Sequence, residues 1–251
     1  MKKQIILLTS LFLFLGSLAL NAQDAQQECN IKYNLFKGDY QSKKYDDAYP
    51  NWMYLMDNCQ KLSINVYKLG DKLAQVRFKN AENKTEAAAL VKRVYTQRLE
   101  NYPTNDPAKA HSNYATFLIK NKLASDQEVF EILQLAYNLD PTRMSVKNIY
   151  RYFQGITDTY KDTNPQKVFD TYDDVLESVG EKLADYAKKL KALNDKLDAG
   201  QELDKRDSKN LRAYTINSKA LGQVESGLDQ IIIAVSYTHL RAHETGRNLV
   251  C

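Results

Sequence analysis

The chain of 251 residues carries 35 Lys and Arg against 31 Asp and Glu, a formal charge of +4, with nine Gly, five Pro and three Cys. Setting aside two terminal segments, residues 1–22 and 235–251, leaves 212 residues with 31 basic and 30 acidic side chains, so the body is nearly neutral and its charge is no argument for a nucleic-acid or anionic-membrane partner. Few Gly and Pro beside abundant Ala, Leu, Lys, Glu and Asp disfavour a β-sandwich or an α/β sheet and predict an all-α chain.

Lys2 and Lys3 precede an apolar stretch, Ile5 to Leu20, and Leu20-Asn21-Ala22 stands before Gln23, which is the layout of an export signal over residues 1–22. The stretch includes Thr9, Ser10, Gly16 and Ser17 and is short for a bilayer span, which favours cleavage over a retained anchor. Leu20 is large for a position that usually holds a small residue, so the cut site itself stays open. The expectation is an exported protein, periplasmic or otherwise associated with the cell envelope.

The first helical pair carries Tyr33, Phe36 and Tyr40 on one helix and Tyr45, Ala48, Trp52 and Leu55 on the next. Cys29 and Cys59 are placed symmetrically about residue 44 in the intervening turn. Antiparallel helices bring such residues together, and an oxidising compartment then predicts a disulfide closing the open end of the hairpin. In the chain-entropy view a loop of about 30 residues contributes roughly 3–4 kcal/mol. The alternative, a redox pair, lacks a Cys-x-x-Cys motif and a βαβ setting.

Helical pairs follow at 62–80 with 84–101, from Pro107 to Pro141, and at 143–160 with 165–177. Ser125-Asp126-Gln127-Glu128 reads as a capping box, followed by Val129, Ile132, Leu133, Ala136 and Tyr137 at helical spacing, and Leu139-Asp140-Pro141 ends the segment. Asn164-Pro165 supplies an N-cap and a Pro at the first helical position, ahead of the stripe Val168, Phe169, Tyr172, Val175 and Leu176.

The segment from Ser125 to Pro141 resembles a tetratricopeptide repeat. Counted back from Pro141, Ala136 and Leu133 fall where that family has a small and a large apolar residue, and Tyr45-x-x-Ala48-x-x-x-Trp52 is a second stretch like it. The chain departs from the pattern at Val129, where the family usually has Ala, at Gln60, where its Pro would stand, and on the helix with Tyr114, Phe117 and Leu118, which lacks the usual Trp and Gly. The likeness covers roughly residues 28–177, and residues 23–177 are read as tetratricopeptide-like repeats. What the resemblance implies is a solenoid of antiparallel helical hairpins with no catalysis of its own and no cofactor. In it, a groove lined by first helices holds a protein or peptide partner in the envelope, with Tyr33, Tyr40 and Tyr114 as partner-binding candidates, while Ala48, Trp52, Leu133 and Ala136 pack between layers.

Beyond residue 177 the period changes. Val179, Leu183, Tyr186, Leu190, Leu193 and Leu197 form a heptad seam running straight out of the preceding helix, Asp198-Ala199-Gly200 interrupts it, and Leu211, Tyr214, Leu221, Val224, Leu228 and Ile231 line a second long helix. Residues 178–234 are therefore expected to form a long antiparallel helical hairpin, an elongated repeat or else a seam for self-association through 179–231. The second use belongs to an alternative reading, a structural envelope component.

Candidate chemistry is sparse. His111 has no identifiable nucleophile to serve, and no Gly-x-Ser-x-Gly motif occurs. Asp170, Asp173, Asp174 and Glu177 share one helical face, which reads as a solvated face before a cation or basic-peptide site. Asn83-Lys84-Thr85 matches a glycosylation triplet, and Asp185 stands four residues before Lys189 as a surface ion pair. No metal site is expected, and a glycan-binding or hydrolytic envelope protein has only scattered carboxylates and aromatics behind it.

The last segment, Val235-Ser236-Tyr237-Thr238-His239-Leu240-Arg241-Ala242-His243-Glu244-Thr245, resembles the translation of a transposon-end adapter used in sequencing-library preparation. Residues 235–251 are accordingly read as an artefactual tail that breaks the helical pattern and replaces the native C-terminus, so His239, His243 and Cys251 carry no functional weight.

Overall fold

The computed structural model describes residues 24–247, with side chains through Thr238, and among them every regular element is helical. The export signal of residues 1–22 and the final residues 248–251 lie outside the described residues. Helix α1 covers 24–41, α2 Tyr45–Asn58, α3 Asn65–Asn80, α4 Lys84–Asn101, α5 Pro107–Asn121, α6 Asp126–Leu139, α7 Val146–Tyr160, α8 Pro165–Asp198 and α9 Lys205–Arg247, with one 3₁₀ turn at Pro141–Arg143. The fold is thus all-α and built of antiparallel helical hairpins, as composition and periodicity predict. The chain divides into two compact units at Asn105/Asp106, a boundary that no change of period marks, whereas α8 passes unbroken through residues 177/178.

In the first unit, the core gathers Phe36 from α1, Ala48, Trp52, Leu55 and Met56 from α2, Val66, Tyr67, Leu73 and Ala74 from α3, and Val91 and Val94 from α4. Trp52 is wholly buried, and its indole Nε1 donates to the Val66 carbonyl at 2.9 Å, which satisfies the one polar atom such a ring takes into a core. Where α3 crosses that ring stands Gly70; only a residue without a β-carbon fits there. Lys84 at the start of α4 donates to the carbonyls of Phe78 (2.7 Å) and Lys79 (2.9 Å), closing the end of α3, while Asn83 caps α4 by accepting from the Glu86 amide at 3.2 Å. The glycosylation triplet is therefore a helix start. Cys29 and Cys59 are disulfide-bonded with Cα atoms 5.8 Å apart, joining α1 to the end of α2.

In the second unit, the capping box forms as read: the Ser125 amide donates to Glu128 at 2.8 Å and the Glu128 amide to Ser125 Oγ at 3.2 Å. Pro141 begins the 3₁₀ turn, which Arg143 pins to Asp106 with a forked ion pair and Lys182 of α8 pins by donating to the Thr142 carbonyl. Buried Asn148 of α7 donates to the Ser112 carbonyl (2.7 Å), Ser112 Oγ (3.0 Å) and Thr116 Oγ1 (2.9 Å) on α5, fixing the register of two helices through groups that cannot be left unpaired in a core.

Helices α8 and α9 fold back on one another around Gly200, which takes φ +72°. Its amide donates to Leu197 O (2.9 Å) and that of Gln201 to Lys196 O (3.0 Å), the paired bonds of a Schellman stop that need a left-handed residue at this point. Tyr186 stacks on Tyr214 at 5.6 Å between the two helices, and Tyr172 donates to Asp229 at 2.5 Å. Burial fades toward the turn: Leu193 is covered and Leu197 is 44% exposed.

One expectation is corrected here. The helix does not break at Val235: Leu221, Leu228 and Val235 recur every seven residues and all three are buried, and α9 runs on to Arg247; Tyr237 is exposed.

Candidate functional site

Along α2, Tyr45, Tyr49 and Met53 follow one another at i, i+4 and i+8 on the face beside the buried Ala48–Trp52 stripe. With Trp52 and Gly70 setting the close crossing of α2 and α3, these three side chains are left beside a groove of about 660 Å³ between α2 and α4, floored by the last turns of α3. Val76 and Arg77 come from α3, and Ala87, Leu90 and Arg93 from α4. Arg77 lies flat against Tyr49, its guanidinium carbon 3.8 Å from the ring centroid, and pairs with the exposed Asp46 at 3.2 Å. Arg93 spans from α4 to the end of α2, where it donates to the Met56 carbonyl (3.2 Å) and to Asp57 (2.5 Å). Both ion pairs are partly open to water and contribute little to folding, so their guanidinium groups can exchange partners at small cost.

The tyrosines singled out from the repeat pattern lie elsewhere. Tyr33 of α1 is half-buried, and its hydroxyl accepts from Ser63 (3.4 Å) in the α2–α3 connection and from the side-chain amide of Asn65 (3.2 Å) at the start of α3. Tyr40 is held between Phe36 (6.2 Å) and Tyr45 (5.7 Å), and burial pushes its hydroxyl above the ordinary tyrosine range. Tyr114, in the second unit, is half-buried and stacked with Phe117 at 6.4 Å, and burial raises its hydroxyl as well. Tyr33 and Tyr40 share one helix and neither lines the groove, which the i, i+4, i+8 spacing of Tyr45, Tyr49 and Met53 along α2 marks in the sequence.

Other titratable groups are accounted for within the fold. His111 is buried, which lowers its imidazole below the ordinary value. Burial likewise lowers the Lys182 ammonium, with Arg143 adding to the effect. Burial raises the Asp71 carboxyl, opposed by the Gln75 amide that donates to it at 3.0 Å. Tyr67, between Gln60, Asn101 and Tyr102, is pushed up to about 12 by burial. The acid row Asp170, Asp173, Asp174 and Glu177 is exposed to solvent, and among the described residues no group of three or more His, Cys, Asp or Glu is placed to hold a metal ion.

The fold and this site define an all-α protein of helical hairpins with an aromatic and arginine-lined groove on its first unit. Compared with known proteins, the chain matches no family model, no curated protein and no solved structure. No helix among the described residues is long and apolar enough to cross a membrane.

Proposed function

We propose that this is an exported, non-catalytic helical-repeat scaffold that holds a segment of a protein or peptide partner in the cell envelope. The observation that carries the reading is the groove between α2 and α4, where Tyr45, Tyr49, Met53 and Leu90 offer apolar and aromatic contact and Arg77 and Arg93 offer donors that can be redirected to a partner's carboxylates or carbonyls. Contact is assigned to Tyr45 and Tyr49, which border the groove, in place of Tyr33, Tyr40 and Tyr114, which do not. A tetratricopeptide-like character and the export signal support the same reading from sequence, and a disulfide is compatible with an oxidising compartment.

A photo-crosslinking amino acid placed at Tyr49, compared with one at the exposed Glu131 of α6, tests this in cells. The expected result is one discrete adduct from position 49, lost in an Arg93→Ala background. The same adducts from both positions, or none from 49, would sink the reading.

A second reading, self-association through 179–231, is favoured by the exposure of Leu197 (44%) and Ile216 (55%) on the α8–α9 hairpin. Sedimentation equilibrium of the wild type and of a Leu197→Glu/Ile216→Glu variant separates it: a dimer that the variant abolishes supports it, and a monomeric wild type excludes it.

A further inference from the structure

From residue 24 to residue 31, Cys29 is the one buried side chain; Asp24, Gln27, Glu28, Asn30 and Ile31 all face solvent, with Ile31 51% exposed. The firm anchors of α1 begin only afterwards, with the Tyr33 hydroxyl on Ser63 and Asn65 and with the wholly buried Phe36. Before them, the attachments among the described residues besides the disulfide are surface contacts to Tyr54, from Lys32 at 5.4 Å from the ring and from Glu28, to which the hydroxyl donates. These first turns extend a helix that is anchored only from Tyr33 onward, and the bond between Cys29 and Cys59 is their one buried attachment among the described residues.

Cys29 and Cys59 both border a second cavity of about 630 Å³, open to solvent, whose other lining residues include Gln26, Asn58, Gln60, Leu62 and Asn101. Its walls are mostly polar, and among the described residues it stays open to solvent. Reagents of thiol size therefore have a path to a disulfide whose residues are only 8% and 6% exposed.

We propose that Cys29–Cys59 is a thiol-exchange site: a dithiol enters through this cavity, and reduction releases residues 24–32 of α1 while the remainder of the first unit stays folded. In the first step a thiolate of the dithiol attacks one cysteine sulfur, a mixed disulfide forms, and the S–S electron pair leaves on the other cysteine as a thiolate. In the second step the remaining thiol of the reagent, deprotonated, attacks its own sulfur in the mixed disulfide and displaces the first cysteine. The reagent ends as an intramolecular disulfide, and its two protons end on Cys29 and Cys59. The rest of the unit survives because a buried core, Phe36 with Trp52, Leu55, Tyr67 and Leu73, holds α1, α2 and α3 together.

The test uses the full chain and dithiothreitol as the dithiol, without denaturant, with thiol alkylation to count reduced cysteines and amide hydrogen exchange read by mass spectrometry. The expected result is complete reduction of the folded protein, at least tenfold faster exchange over residues 24–32, and unchanged protection over 45–58, 65–80 and 84–101. A Cys29→Ser/Cys59→Ser variant should reproduce that pattern without reagent. Reduction that requires denaturant would show that the cavity gives no access. Loss of protection across all three helices, or no change over 24–32, would overturn the proposed local release.

Discussion

A β-carbon on Gly70 would stand 2.3 Å from Nε1 of Trp52. The indole cannot yield, since it is wholly buried and its N–H is committed to Val66. Gly70→Ala gains about 1 kcal/mol of helix propensity and loses about 2–3 kcal/mol to overpacking, so a net destabilisation of about 1–2 kcal/mol is expected. Trp52→Ala should cost about 3–5 kcal/mol through the cavity it leaves. Because the two residues touch, the double variant should cost less than the sum, which urea denaturation of the four proteins measures.

Tyr33 tests whether a tyrosine chosen from the repeat pattern serves the fold or a partner. Its hydroxyl accepts hydrogen bonds from Ser63 and from Asn65 at the start of α3. Tyr33→Phe should therefore lower stability by about 1 kcal/mol while leaving the adduct at position 49 unchanged. A stable variant that loses the adduct would return the binding surface to α1.

His111 should make the second unit sensitive to acid. Burial lowers its folded value below 6.5, so above that value the imidazole is neutral in both states and its contribution is fully present. As the pH falls through 6.5 toward the folded value, the unfolded chain takes up the proton first and stability is lost. His111→Gln should reduce the fall in Tm between pH 7.5 and 5.5 by at least about 1 °C. A fall as steep as that of the wild type would place the acid sensitivity in other groups.

Residues 235–251 make a prediction that no property of the folded chain can answer. If the likeness to an adapter is right, the natural reading frame diverges close to Val235, and long-read sequencing of the source DNA shows it. An uninterrupted frame through Tyr237 to Thr245 in that DNA would retire the idea, and the burial of Val235 would then be ordinary packing of α9.

The amino-acid sequence by itself determined the features whose partners lie within a turn or two along the chain. Ser125 and Glu128 form their box, Asn164 caps α8 by accepting from the Lys167 amide, Gly200 stops the same helix, and the stripes of α6 and α9 face inward, because a cap or a helical face depends on residues three or four apart. Cys29 and Cys59 were also legible, since a hairpin's symmetry fixes who meets whom across a single turn. Tertiary structure alone decided the division at Asn105/Asp106, the burial of Asn148 and Lys182, and the opening of the groove between α2 and α4. Each of these depends on how closely helices distant in sequence cross. That spacing is set by particular pairs such as Trp52 against Gly70, and no period of apolar residues along one helix records what stands opposite it.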